Sequence, residues 1–263
     1  FIFKIGCLLY DPSITMTLSN TQMKKEAILA RYSSGERNFA RIELREIELV
    51  KSNLSDVDLT AADLRQTRLG KSNFARAIFH LADLSESILW GADLTEADLS
   101  QADLREADLS GAILTKANLA KANLVKAILE GANLNQAKLC QALMIEVDFH
   151  TTGNSRTNLS QADLSHADLS YSNLSMSLLY RAKLDGAKLC RVNFCASSRG
   201  DLPVTDLTEA SLRNADLSYA NLAGAVMRGA DLTGADLTGT NLTNAILDNA
   251  IMPDGQVYPH SQN

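Results

Sequence analysis

The stretch "LTEADLSQADLREADLSGAIL", residues 94–114, repeats A-D-L every five residues and so sets Asp98, Asp103 and Asp108 in a regular row. Carboxylates at fixed spacing are the raw material of acid–base catalysis and of divalent-cation binding. Both chemistries need the groups to converge on one substrate atom or one ion. A period of five matches neither the 3.6 of a helix nor the 2 of a strand, so the row does not collect on one face of either element. The histidines, His80, His150, His166 and His260, lack metal-ligand spacing, and Cys7, Cys140, Cys190 and Cys195 form no C-x-x-C pair. No G-x-S-x-G or Walker A motif is present, and no G-x-G-x-x-G follows a strand pattern. The expectation is a chain with no catalytic residues, no metal and no cofactor, and therefore not an enzyme.

What positions these carboxylates is the repeat itself. Centred on its large apolar residue, the five-residue unit runs unbroken for 23 copies from Phe39 to Phe149, then for 8 from Leu159 to Phe194 and for 10 from Leu207 to Met252. Two residues before most centres stands a small side chain, most often Ala. The residue just before the centre is usually Asp or Asn, and the two after it are polar or Gly. Leu and Ala at fixed spacing describe a narrow interior, which accounts for a chain that is 46% hydrophobic but only 5% aromatic. Gly91, Gly111 and Gly131 recur every 20 residues, as do Arg45 and Arg65, with Arg105 two such steps on. Four units therefore close one coil, and residues 20 apart lie above one another. Glycine at that slot would supply the positive φ of a type II turn.

The A-(D/N)-L-x-x pattern resembles that of the pentapeptide repeat proteins and covers about 80% of the chain. The resemblance implies an all-β fold, a right-handed quadrilateral parallel β-helix of about ten coils. Residues 1–18 read as a disordered or non-native extension and 19–36 as a capping helix, N-capped by Ser19, with Ile28, Leu29 and Tyr32 as its apolar stripe. The β-helix spans 37–254, interrupted at 150–158 and 195–206, and 255–263 form a tail in which Val257 and Tyr258 can cover the last coil. The first interruption keeps the five-residue frame and is expected to be a small bulge. The second shifts the frame by three and is expected to project as a loop.

Stacking at 20-residue intervals puts Glu43, Glu46, Asp63, Asp83, Glu86, Asp103 and Glu106 on one acidic wall with Arg45, Arg65 and Arg105. Stacked carboxylates repel by roughly 1 kcal/mol each in water, which the arginines would relieve. An adjacent wall carries Ile88, Trp90 and Ile128 in slots that are elsewhere polar, and exposed apolar groups mark interaction sites. The candidate partner surface is therefore Glu43, Glu46, Asp63, Arg65, Asp83, Glu86, Ile88, Trp90, Asp103, Arg105 and Glu106. A second candidate is the loop with Ser198, Arg199, Asp201 and Leu202.

The segments "LRQTRLGKSNF" (64–74), "ILWGADL" (88–94) and "DGAKLCRVNF" (185–194) are similar to cyanobacterial members of the family tied to heterocyst differentiation. That likeness implies a protein-binding scaffold that contacts a transcriptional regulator of differentiation and opposes its peptide inhibitor. Other members mimic duplex DNA and bind DNA gyrase, which is the alternative, with a structural rod as a third. A net charge of −6, diluted by Lys116, Lys121, Lys126, Lys183, Lys188 and Arg191, suits neither general nucleic-acid binding nor close DNA mimicry. Unpaired thiols and the lack of any apolar run of ~18 residues point to a cytoplasmic protein that does not enter a membrane, and the lack of an aromatic dimer patch in the C-terminal coil points to a monomer.

Overall fold

The computed structural model describes residues 20–150, 155–195 and 204–259. Nearly all of them form a four-walled coil stack joined by single parallel bridges. Wall 1 runs through Asn38, Asp58, Ile78, Asp98, Asn118 and Lys138, and wall 2 through Glu43, Asp63, Asp83, Asp103, Asn123 and Leu143. Wall 3 runs through Glu48, Arg68, Ile88, Asp108, Ile128 and Asp148, and wall 4 through Asn53, Asn73, Asp93, Ile113 and Asn133. Each interior wall segment bonds to the coils on both sides. Asp98 N–H donates to Ala77 C=O at 2.9 Å and Leu99 N–H to Asn118 C=O at 2.7 Å. The bridged stretch is too short at each wall to extend into a longer strand, because the next corner begins two residues later.

The corners are tight turns, and they explain the remaining slots of the repeat. Ala97 N–H closes a turn on Leu94 C=O at 3.0 Å, with Glu96 between them at φ 58°. Positive φ at that position is general rather than a property of glycine: it runs from Arg41 (φ 60°) to Asn249 (φ 58°), with Gly91, Gly111 and Gly131 at 62°, 62° and 64°. Long polar side chains thus occupy a backbone region that costs an L-residue on the order of 1 kcal/mol. The Asp or Asn before each centre offsets part of this. Asp98 Oδ1 accepts the Ser100 N–H at 3.0 Å, Asp93 accepts that of Thr95 at 3.0 Å and Asp108 that of Ser110 at 2.9 Å. The repeated carboxylate satisfies a corner amide that the coil stack leaves without a partner.

Inside, Leu99, Leu104 and Leu109 are fully buried, with Ala97, Ala102 and Ala107 beside them. Where Ser replaces Ala in that slot, two hydroxyls, Ser87 Oγ and Ser177 Oγ, are buried without a hydrogen-bond partner. Each orphan costs about 1–3 kcal/mol relative to an apolar group of the same shape. Ser87→Ala is therefore expected to stabilise the protein by about 1 kcal/mol, read as a raised urea midpoint. A lowered midpoint would contradict it.

The first coil is covered by α1 (Asn20–Ser33), in which Ile28 is buried and Leu29 and Tyr32 pack on the core. The Tyr32 hydroxyl donates to Ser55 C=O at 3.0 Å, and Gly35 (φ 99°) turns the chain out of the helix. Ser19 lies outside the described residues. At the other end Val257 pairs antiparallel with Ile251, and Tyr258 N–H donates to Ala250 C=O at 2.7 Å.

The bridges give the register across the two interruptions. Asn133 bridges Asn158 and Leu178 bridges Asp206. The spacings are 25 and 28 residues in place of 20, so the insertions amount to five and eight residues. The first is the length of a whole unit, so the five-residue frame is preserved. The chain leaves wall 3 at Phe149 and again at Phe194, and rejoins wall 4 at Asn158 and Asp206. Both insertions thus open from the same corner, between walls 3 and 4, two coils apart.

Candidate protein-interaction surface

Glu43, Asp63, Asp83 and Asp103 stack on wall 2, and Arg45, Glu46, Arg65, Glu86, Arg105 and Glu106 follow them on the corner toward wall 3. The carboxylates are not bare. Arg65 forks onto Asp63 with bonds of 2.8 and 2.5 Å and reaches Asp83 at 3.4 Å. Arg45 lies 3.3 Å from Asp63, and Arg105 pairs with Asp103 at 2.6 Å. The hydrogen bonds from Arg65 hold the Asp63 carboxyl below the usual carboxylate range, against the opposing effect of partial burial. A depressed folded pKa adds stability that is present above the ordinary value of ~3.9 and is lost as pH falls through the folded one. Arg65→Gln should move the Asp63 midpoint up toward that ordinary value and weaken the fold slightly at neutral pH. Carboxyl-carbon titration by NMR reads this directly, and an unmoved midpoint would refute it.

Wall 3 separates this acidic edge from Trp90. Ile88 is half-buried and Ile128 exposed on that wall, while Trp90 stands on its far corner, toward wall 4, and not on the wall itself. The indole lies flat because Gly70, one coil above, has no side chain: a Cβ there would sit 2.5 Å from Trp90 Nε1. Lys71 Nζ caps the ring at 4.6 Å from its centroid. The unusual residues of "RLGK" and "LWG" thus build one exposed, fixed aromatic platform. All eleven residues of the first candidate surface therefore wrap around wall 3 in the N-terminal half. Among the described residues no group of His, Cys, Asp and Glu is placed to hold a metal ion. A shallow depression lined by His166, Asp185, Gly186 and Arg213 also offers little to a substrate. Its carboxylate is engaged by Ser211 Oγ and by Arg213, whose backbone N–H and guanidinium each donate at 3.1 Å.

In the C-terminal half the second candidate, Ser198, Arg199, Asp201 and Leu202, lies outside the described residues. Its anchor points are visible, and the sequence reasoning missed them. Thr157 and Thr205 return the chain to the rod after each insertion. Thr157 Oγ1 accepts Gly131 N–H at 2.9 Å, and Thr205 Oγ1 accepts Met176 N–H at 2.9 Å, each from the coil above. Arg156 ties the two insertions together. Its Nε donates to Met176 C=O at 2.7 Å, and its Nη2 reaches Ser177 C=O at 3.4 Å and also donates to Val204 C=O. Burial pushes this guanidinium below its ordinary value, with Asp206 acting the other way. The available signal was the doubled motif of an inserted segment ending in Thr before a wall residue.

A four-walled rod of five-residue units with one capping helix, its distinctive side chains on the outside, defines a repeat solenoid. The chain belongs to the pentapeptide repeat family, whose model matches residues 52–91, 92–131, 122–152, 157–194 and 205–244. Among solved structures it is similar to HetL, a pentapeptide repeat protein involved in heterocyst differentiation regulation from the cyanobacterium Nostoc sp. strain PCC 7120. The two share 55% identity over 88% of this chain and 98% of HetL, with a TM-score of 0.86. Full-length QnrB1, a plasmid-mediated fluoroquinolone resistance protein, matches 79% of this chain and 94% of its own at 18% identity and a TM-score of 0.32, too low to carry an argument. No curated protein matches. Among the described residues no helix is long and apolar enough to cross a membrane.

Proposed function

We propose that the chain is a non-catalytic scaffold that regulates heterocyst differentiation by contacting a transcriptional regulator of that process. The observation that carries this is the 55% identity to HetL over nearly the whole of that protein. The rod is taken as right-handed, the hand of the family's fold, and as a cytoplasmic monomer. Its partner meets wall 3 and the corners that flank it, where the Trp90 platform, the paired acidic edge and both insertions stand. Mimicry of DNA for gyrase is disfavoured by Lys116, Lys121 and Lys126, which occupy three corners within one coil.

The test is to raise the level of this chain in a heterocyst-forming filamentous cyanobacterium and count heterocyst spacing, alongside binding of the purified chain to the regulator. Altered spacing and a complex weakened by Trp90→Ala, or by shortening residues 195–206, are expected. Normal spacing together with no complex would reject the proposal. A complex indifferent to both variants would reject the surface.

A further inference from the structure

On the corner between walls 2 and 3, three successive coils place Tyr171, Arg191 and Tyr219 in the same slot, bracketed by the bridges Asp168–Lys188–Asp216 and Asn173–Asn193–Asn221. The Arg191 guanidinium carbon lies 5.9 Å from the Tyr171 ring centroid and 5.7 Å from that of Tyr219. Both rings are well exposed, at 57% and 59%. Tyr219 is held in turn by Gly239, where a Cβ would come within 2.7 Å of the ring. All three residues take the positive φ of the corner, at 64°, 56° and 57°, so their stems leave the rod in one direction. Two coil steps of ~4.8 Å separate the rings, which leaves room for one extended residue to reach the cation between them.

The charge of Arg191 is not consumed within the rod. Among the described residues no carboxylate lies within ion-pair distance of it, whereas its neighbour Lys188 is taken by Asp168 at 3.4 Å. The floor of wall 3 beside it is also closed to a ligand's hydrogen bonds. Asn193 donates to Asn173 at 3.1 Å and Asn241 to Asn221 at 3.0 Å, and the Asn193 and Asn221 oxygens also accept corner amides. A guanidinium flanked by two rings has little further freedom to lose on binding and presents a planar fork. That is the environment in which one carboxylate, taken by both prongs of the fork, contributes most.

We propose that Tyr171, Arg191 and Tyr219 form a clamp for an acidic segment of a partner protein, with one carboxylate on Arg191 and apolar neighbours against the two rings. The clamp deepens the protein-binding reading above and rests on it only in that the occupant is a protein. The test selects a displayed library of random 12-residue peptides on the full chain, then measures synthetic winners. Variants are chosen to suit the corner backbone: Arg191→Gln, since Gln66 and Gln101 adopt the same φ, and Tyr171→Asn with Tyr219→Asn, since Asn tolerates positive φ. Unchanged thermal unfolding verifies that they fold.

Winners are expected to share an Asp or Glu between apolar residues. Binding should fall at least tenfold with Arg191→Gln, with the double tyrosine variant, and with the matching Asn or Gln peptide. Arg191→Lys should restore it only in part. No winners, winners without an acidic residue, or affinity indifferent to Arg191→Gln would each overturn the clamp. So would an Arg191-dependent dimer in sedimentation, or Arg191-dependent binding of a labelled single-stranded oligonucleotide, either of which would name another occupant. If the clamp holds acidic peptides while heterocyst spacing is unaffected, the proposed biological role falls and the site stands.

Discussion

Truncating Leu104 to Ala is expected to destabilise the protein by about 3 kcal/mol, within the range of buried Leu-to-Ala changes. Leu104 has no exposed surface, and its column continues through Leu84 above and Leu124 below. The walls around it cannot close the void. Asp103 is bonded through its N–H to Ala82 C=O at 2.9 Å, and Leu104 through its own to Asn123 C=O at 2.7 Å, so each coil is pinned to both neighbours. Because each coil touches only its neighbours, the loss should also be local. Amide exchange should accelerate around Leu84, Leu104 and Leu124 while α1 keeps its protection. A change under 1 kcal/mol, or loosening spread evenly along the rod, would contradict this account.

Arg156→Met is expected to cost about 2 kcal/mol while retaining most of the apolar stem. It removes a charged donor from three carbonyls, those of Met176, Ser177 and Val204, on two different segments. The readout that separates this tie from an ordinary surface arginine is exchange at Asp206, whose N–H donates to Ser177 C=O at 3.0 Å. That amide should lose protection although residue 156 is fifty positions away in the chain. An unchanged midpoint with unchanged exchange at Asp206 would refute the tie.

The rod was legible in the sequence because its rule is short-range. One large residue, one small residue and one Asx per unit suffice, and stacking at 20 follows from counting. Asp63, Asp83 and Asp103 fell on one wall for that reason, and Arg65 fell beside them. Three things were hidden, each with a physical cause. The role of the Asp98 carboxylate was hidden, because a bond to an amide two residues on leaves no trace in spacing. The role of Gly70 was hidden, because it is the space it leaves for a ring 20 residues away. Tyr171, Arg191 and Tyr219 went unnoticed because the eight-residue insertion makes the second interval 28, which breaks the period that would have aligned them.

Both insertions open from one corner, and this changes how length variation acts on the molecule. A residue's wall is set by counting from the nearest corner and not from the chain's beginning. Residues added or removed between Phe149 and Asn158, or between Phe194 and Asp206, leave every downstream side chain at its address. A change within a wall that is not a multiple of five residues would instead carry the leucines that follow out of register with the core. The corner between walls 3 and 4 is thus an expansion joint, where new binding elements can be spliced in while the clamp, the platform and the acidic edge keep their alignment.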